Sequence, residues 1–383
     1  MGKQYHIVLS RPFDLDQFDR DASEGKCPRH AMSVLRSALG ARVHQPTGRR
    51  VKVLDRLAAR LFPSTPEQIA MGRALAKQFT EQDVVFAAGE DVGYPLALAL
   101  RGARRKPRLL VEVHNPRSLR SRLGLKLFSV HKAVDMFVAT TPDKVDFVRD
   151  YTRLPSARFH AMHEVTDTEF FTPGPSSPTK TRPVVGACGL EQRDYVTLAE
   201  ATKDMDVDVK ICAVSPNATS RRADFPEVPP ANMKAEHYDW PDLVQLYRDS
   251  DVVAVPLRPN TFQAGQTAIM EAMACARPVV TTEAAGMVAD FDRDSLIRTV
   301  PERDPKALRH VLESLLERSD EAAAFAARAR QRILEGFNTD RYVKHLAELL
   351  RDGDVVEGRD DGAATRSQSA QPAPSRQSAR RVG

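Results

Sequence analysis

Asp251-Val-Val-Ala-Val-Pro-Leu-Arg258, then Pro259-Asn-Thr-Phe-Gln263, then Ala264-Gly-Gln-Thr-Ala-Ile-Met-Glu271-Ala-Met-Ala-Cys-Ala-Arg-Pro278-Val-Val280, is the stretch that decides how this chain folds. It reads as a buried strand, an irregular loop containing Gly265, a helix with small residues on one face, and the start of another apolar strand. That order describes a βαβ unit of a parallel sheet. The backbone N–H groups at the helix start, around Gln266, Thr267 and Ala268, have no intrahelical acceptor and make a ready anion site. Glu271 sits one turn further in. A carboxylate there can accept both hydroxyls of a ribose whose phosphates lie on the helix start. The plainer alternative makes Glu271 a partner of the helix dipole and the whole unit a scaffold.

The same alternation runs outward in both directions. On the N-terminal side, Tyr5–Ser10, 83–88, 109–113 and 136–139 are short apolar strands. Helical segments lie at 30–39 (ended by Gly40), 93–100, 119–130 and 142–148, the last with Thr141 as its cap. The segment 14–29 is expected as a polar loop. Four prolines and a glycine within Thr172–Pro183 then break the pattern, because such a stretch can form neither helix nor ladder. Beyond it the alternation restarts, with strands at 184–188, 207–214, 251–256 and 278–282. Helices are expected at 195–203, 240–248, 266–275, 304–318, 321–335 and 339–351, the last capped by Thr339. The expected architecture is α/β, with two Rossmann-like, doubly wound parallel-sheet domains facing a cleft. The expected domains are 1–173 and 184–338, the second carrying the candidate anion site. A linker spans 174–183, and a helix over 339–352 can cross back to the first domain. The tail 353–383 has very few large apolar residues and is expected to be disordered.

Length and composition agree with this division. At 383 residues, 42% hydrophobic and 28% charged, the chain is an ordinary globular protein with room for two domains. Fibrous and wholly disordered classes are excluded, and no apolar run is long enough to span a bilayer. The N-terminus reads as a first strand, since its apolar run is too short for a signal peptide. The four cysteines, Cys27, Cys188, Cys212 and Cys275, form neither a disulfide framework nor a CxxC pair. The expected location is therefore cytoplasmic. Residues 1–170 carry 28 Lys/Arg against 19 Asp/Glu, and the remainder carries 28 against 32. The excess is densest from Arg101 to Lys132, where ten bases face one acid, Glu112. Leu119, Leu123, Leu127 and Val130 form one helical stripe there. This stretch is either a solvated basic face over ordinary core or an amphipathic surface for anionic membrane, at the inner face of which the protein would sit peripherally. Nucleic acid is not expected as a partner, since no recognition motif is visible.

The segment around Glu271 resembles the donor-site signature of retaining, family-4-like glycosyltransferases of the GT-B fold (glycosyl transferases group 1). That signature is a Glu, seven residues, a second Glu, then Ala-Met-Ala, a small residue, a variable residue and Pro-Val. Glu271 falls on the second Glu, and Ala272-Met273-Ala274 and Pro278-Val279 match. Gln263 replaces the first Glu, which in the family holds hydroxyls of the transferred sugar; a glutamine still hydrogen-bonds there but brings no charge. Gly189-Leu-Glu-Gln-Arg193-Asp-Tyr195-Val-Thr-Leu198 is similar to the family's stretch after the first strand of its second domain, with Arg193 on the usual Lys. The resemblance implies that Arg193 neutralises a diphosphate leaving group, and an Arg can do so bidentately. Thr166-Asp167-Thr168-Glu169-Phe170-Phe171-Thr172-Pro173 resembles the family's end-of-domain motif and reads as structural. His114 stands at the carboxyl end of a strand, facing the cleft; in the family a His there lies near the donor sugar, while the plainer reading is a structural histidine.

What the resemblance implies is a metal-independent transfer, with retention, of a hexose-type sugar. The donor would be a nucleotide-diphosphate sugar acting as co-substrate, and the acceptor a carbohydrate, lipid-linked or small-molecule hydroxyl. The catalytic set would be His114, Arg193 and Gln263; donor contacts would come from Gly189, Gly265, Gln266, Thr267, Ala268 and Glu271; no metal ligand or other cofactor is expected. Two alternatives remain: a nucleotide-sugar epimerase on the same fold, and a weakened scaffold, the latter suggested by Gln263. Asp290, Asp292 and Asp294 form the one acidic cluster at alternate positions and read as a solvated turn. Asn217-Ala-Thr219 fits a glycosylation sequon, which a cytoplasmic chain would not use.

Overall fold

The computed structural model describes residues 2–213, 224–259, 264–284 and 287–351. Gln263, the Asn217 sequon and the tail from residue 353 lie outside them.

The apolar runs of the first half build one parallel sheet and those of the second half another. The first domain runs β1 (Gln4–Val8), α1 (Leu15–Ser23), α2 (Ala31–Leu39), β2 (Arg42–His44), α3 (Val53–Ala58), α4 (Pro66–Leu75), β3 (Asp83–Ala87), α5 (Glu90–Leu100), β4 (Arg108–Val113), α6 (Leu119–Lys126), β5 (Met136–Ala139), α7 (Pro142–Thr152) and β6 (Phe159–Ala161). The second runs β7 (Val184–Cys188), α8 (Tyr195–Thr202), β8 (Asp208–Cys212), β9 (Met233–Glu236), α9 (Trp240–Asp249), β10 (Val252–Val255), α10 (Gln266–Ala274), β11 (Val279–Thr282), α11 (Met287–Arg293), β12 (Arg298–Val300), α12 (Pro305–Glu317), α13 (Ser319–Gly336) and α14 (Thr339–Arg351). Strand orders are β2-β1-β3-β4-β5-β6 and β12-β11-β10-β7-β8-β9. All the pairings are parallel, so helices must cover both faces and the strands can be apolar throughout. In each sheet the winding direction reverses once: between β1 and β3, and between β7 and β10. Ligands of open α/β sheets bind outside the carboxyl ends of the strands at such a reversal.

Local chemistry sets most boundaries. Gly40 closes α2 in a left-handed conformation at φ 61°. Thr65 and Gln68 make a reciprocal capping box on α4. Two sequence expectations fail here. The segment 14–29, expected as a loop, contains α1: the Asp14 carboxylate caps it by accepting from Gln17 N at 2.9 Å. Only Leu15 of that helix is buried, so no apolar period betrays it. The cap of α14 is Asn338, whose Oδ1 accepts from Arg341 N at 2.9 Å, rather than Thr339. The Thr339 hydroxyl turns instead to the Thr166 carbonyl.

α14 leaves the second domain and packs into the first. Val343, Leu346, Ala347 and Leu350 join a core with Ile7, Leu35, Phe86, Leu110 and Val138. The two segments that pass between the domains lie side by side: Thr166 N donates to Phe337 O at 3.0 Å, and Thr339 N to Thr166 O at 3.1 Å. Beside them Asp167, almost fully buried, accepts from Arg29 N (2.7 Å), Nε (3.0 Å) and Nη2 (2.6 Å). Arg29 also meets the exposed Asp340 at 3.1 Å. Burial works against the Arg29 charge, but Asp167 and Asp340 outweigh it and hold the guanidinium above its ordinary value.

Removing the buried partner leaves Arg29 only its exposed partners, Glu169 at 3.0 Å and Asp340 at 3.1 Å. We expect Asp167→Ala to cost about 3 kcal/mol or more in chemical denaturation. Asp340→Ala should cost less than about 1 kcal/mol because its pair is exposed. Equal costs for the two would show that the network is not organised around Asp167.

Candidate active site

β7 ends at Cys188, and the chain must turn at once to cross the carboxyl edge of the sheet. Gly189 makes that turn at φ +105°, a conformation that side chains disfavour, and its N–H donates to Cys212 O at 3.0 Å. A Cβ on Gly189 would stand 2.7 Å from Cζ of Arg193. The glycine therefore leaves the space that the guanidinium fills. Arg193 Nε donates to Cys188 O at 2.9 Å and Nη1 to Glu191 O at 2.8 Å. The Tyr195 hydroxyl donates to Gly189 O at 2.6 Å and braces the turn from beneath.

This loop is stitched to the end of β10, its neighbour at the reversal. Asp194 N donates to Pro256 O at 3.0 Å, Arg258 N to Gln192 O at 2.9 Å, and Arg193 bridges to Leu257. Gly265, at φ +84°, leads into α10 and lies against the same Leu257, since an added Cβ would stand 3.2 Å from Leu257 Cδ2. The opening of α10 has no side-chain cap and no acidic residue in its first turn. Ala264, Gln266 and Ala268 are buried there, Gly265 is partly open, and Thr267 is exposed. Gly189, Arg193, Gly265 and the first turn of α10 are thus assembled at one sheet edge. The positive end of the helix dipole and the guanidinium are both parts of it.

Arg193 is a buried cation, 5% exposed, with no described carboxylate within 4.0 Å. Carbonyl dipoles solvate it instead. Glu271, one turn into α10, feels the Arg193 charge and is itself enclosed. Its Oε2 accepts from the Tyr247 hydroxyl at 2.7 Å, and Oε1 accepts from no other described residue. Burial pushes the Glu271 carboxyl up to about 7, although the Tyr247 hydrogen bond and the Arg193 charge pull it down. Near neutral pH this pocket of the protein is therefore short of negative charge, which suits an incoming anion.

His114 belongs to the first domain. It follows β4 and is exposed, with Nε2 3.3 Å from Ala88 O and 4.0 Å from Glu112. Its backbone is fixed by Glu90, whose buried carboxylate accepts from His114 N at 2.7 Å and Asn115 N at 2.8 Å. Glu112 is pushed above the usual carboxylate range mainly by burial. The contacts of His114 are all within its own domain. Gln263 lies outside the described residues. Asp290 and Asp294 pair with Arg293, and no metal-holding cluster occurs among the described residues. A cavity of about 450 Å³ opens at the carboxyl ends of β1 and β2, lined by Phe13, Asp14, Arg36 and Gln45 among others.

Tyr247 and Glu90 carry roles that the sequence did not announce. Tyr247 sits in an amphipathic helix where an aromatic reads as core. Glu90 sits in a first helical turn, where any acid fits the dipole.

The raised Glu271 makes stability depend on pH. Its folded value lies above its ordinary value of 4.5, so the folded state holds the proton more tightly. Stability from this group is complete below pH 4.5 and is lost as pH rises through about 7, by about 3 kcal/mol in all. Glu271→Gln should abolish that loss, so its advantage over the parent chain grows from pH 5 to pH 8. Tyr247→Phe should steepen it. Denaturation midpoints across this range check both, and parallel curves for all three proteins would count against an enclosed Glu271.

The sequence profile of the family described as glycosyl transferases group 1 matches residues 196–318. A putative colanic acid biosynthesis glycosyltransferase of Escherichia coli (strain K12), WcaL, is 33% identical over 114 residues. That segment is 29% of this chain, and this chain spans only 28% of that relative's length. Among solved structures, Anabaena Alr3699/HepE in complex with UDP-glucose superposes with a TM-score of 0.61 at 16% identity, over 91% of this chain and 99% of that one. An alpha,alpha-trehalose-phosphate synthase (UDP-forming) from Burkholderia vietnamiensis gives 0.66 at 12% identity, over 92% and 97%. Sucrose-phosphate synthase from Thermosynechococcus elongatus gives 0.62 at 15%, over 91% and 98%. At these identities the structural likeness speaks for the fold. The chain thus has the two-domain GT-B fold, and residues 196–318 of its second domain are similar to the group 1 glycosyltransferases.

Proposed function

We propose that this protein is a glycosyltransferase that takes a hexose-type sugar from a nucleoside diphosphate sugar and transfers it, with retention, to a hydroxyl acceptor. The observation that carries the reading is Arg193: a buried guanidinium with no described carboxylate within 4.0 Å, beside the start of α10, where Gly265 offers no side-chain cap, at the strand reversal of the second sheet. A diphosphate supplies the missing negative charge. Glu271 Oε1 is the acceptor available to ribose hydroxyls.

In this mechanism the chain does little covalent chemistry. As the bond between the anomeric carbon and the diphosphate oxygen breaks, charge grows on the leaving phosphate. Arg193 and the α10 amides are already in place to stabilise it, without reorganisation. Because the protein provides this positive charge, the transfer needs no divalent ion. The acceptor hydroxyl attacks the oxocarbenium-like sugar from the face the diphosphate leaves, and its proton passes to the departing phosphate. His114, held in position by Glu90, approaches the sugar from the first domain. The cavity beside Phe13 and Arg36 is the candidate acceptor site. A uridine donor is favoured because structural neighbours were solved with UDP-glucose and UDP.

A thermal-shift panel of UDP-, GDP- and ADP-sugars tests the binding step. A donor at a hundred times its Kd should stabilise the chain by about 2.7 kcal/mol, and no shift with any of them would sink the proposal in favour of a scaffold. Arg193→Ala should lower kcat by about 100-fold or more. Nucleotide release at full rate without any acceptor would point to an epimerase instead. Gln263→Glu should raise turnover if the sugar-holding charge is what the chain lacks.

A further inference from the structure

α3 is built inside out. Its acidic residue, Asp55, is buried, accepting from Lys52 N at 2.7 Å and from Arg73 Nη2 at 2.8 Å. Its apolar side chains face solvent: Val53 is 70% exposed and Leu54 73%, with Leu57 and, just beyond the helix, Leu61 exposed as well. α6 repeats the anomaly. It buries Leu125 together with Ser121 and Gly124, yet Leu119 is 65% exposed and Leu127, which follows the helix, 67% exposed. The two elements meet through the residues next to these leucines. The rings of Phe62 and Phe128 lie 4.8 Å apart, and a Cβ on Gly124 would stand 3.5 Å from Phe62. Six of the ten exposed large apolar side chains among the described residues belong to these two helices or to the residues just after them. Single exposed leucines are ordinary, but a contiguous group marks a docking surface.

The face is also strongly basic. Arg50, Arg56 and Arg60 accompany α3, and Arg120, Arg122 and Lys126 project from α6; all six are exposed, and none pairs with a described carboxylate. No described helix is long and apolar enough to cross a membrane. We propose that this α3–α6 face docks on an anionic lipid bilayer, with Leu54, Leu57 and Leu127 entering the interface and the cations meeting lipid phosphates. A second copy is a poor occupant, because six cations would face six. The segment 352–383 carries five acidic and five basic side chains and offers no complementary charge.

The test is co-sedimentation of the full-length chain with vesicles of phosphatidylcholine alone or with one-third phosphatidylglycerol. We expect binding to the anionic vesicles at least tenfold stronger than to the neutral ones, weakening as salt is raised. Each cation near the surface is worth about fivefold in partitioning, so R56Q/R60Q/R120Q/R122Q should lose about 100-fold or more. L54S/L57S/L127S should lose about tenfold or more. Its melting temperature should not change, because these side chains are exposed in the free protein. A fluorophore on L54C should shift to the blue on the anionic vesicles only. Equal binding to both vesicle types, or full binding by either variant, would overturn the proposal. So would a dimer in gel filtration that L54S/L57S/L127S dissolves, since the face would then be a protein interface.

Discussion

A guanidinium taken out of water must be compensated, and Arg193 is compensated by carbonyls. Two hydrogen bonds to the main chain of its own loop hold the charge in place without cancelling it. That choice constrains everything nearby. Position 189 must be glycine, because any side chain would occupy the volume of the guanidinium. The loop must be pinned to β10, because a loose loop would let the charge swing back to solvent. The carboxylate that could have formed an ion pair, Glu271, is instead sealed against Tyr247 and driven toward its neutral form. The desolvation cost left in the unliganded protein is what a bound anion would relieve.

The two sheets serve this arrangement in different ways. In the second, the reversal between β7 and β10 brings two glycine turns and one helix start to a single edge. In the first, the equivalent edge presents His114 on a turn whose amides are held by a buried acid. The passage between domains is a doubled strand segment with Arg29 and Asp167 beside it. Polar groups at such a crossing are worth burying because they fix geometry that apolar packing alone would leave adjustable.

Much of this was legible in the residues. Parallel strands buried on both faces leave continuous apolar runs, so Val252–Val255 and Val279–Thr282 declared themselves, and Gly265 and Glu271 followed from the helix between them. What escaped has physical reasons. α1 carries one buried residue, so its period is silent and only its Asp14 cap marks it. Thr339 and Asn338 are both good caps, and the tie between Thr339 and Thr166, distant in sequence, decides between them. The stripe from Leu119 to Val130 reads as one face of one helix, but the helix ends at Lys126, Leu119 and Leu127 are both exposed, and Val130 is buried in the tighter turn that follows. Residues such as Tyr247 act through partners far along the chain, and no local pattern encodes that.

The return of α14 has a consequence for biosynthesis. One face of the first sheet, with Ile7, Leu110 and Val138, is completed only by side chains from residues 343–350. A ribosome therefore releases almost the entire second domain before the first can close. Until then the nascent chain carries a hydrophobic sheet face covered only in part, by Leu15, Met32 and Leu35, for the time needed to make about half the protein, at roughly 5–20 residues per second. Early domain closure, the usual protection of a long polypeptide during synthesis, is unavailable to this one, and holdase chaperones would find their target on that face.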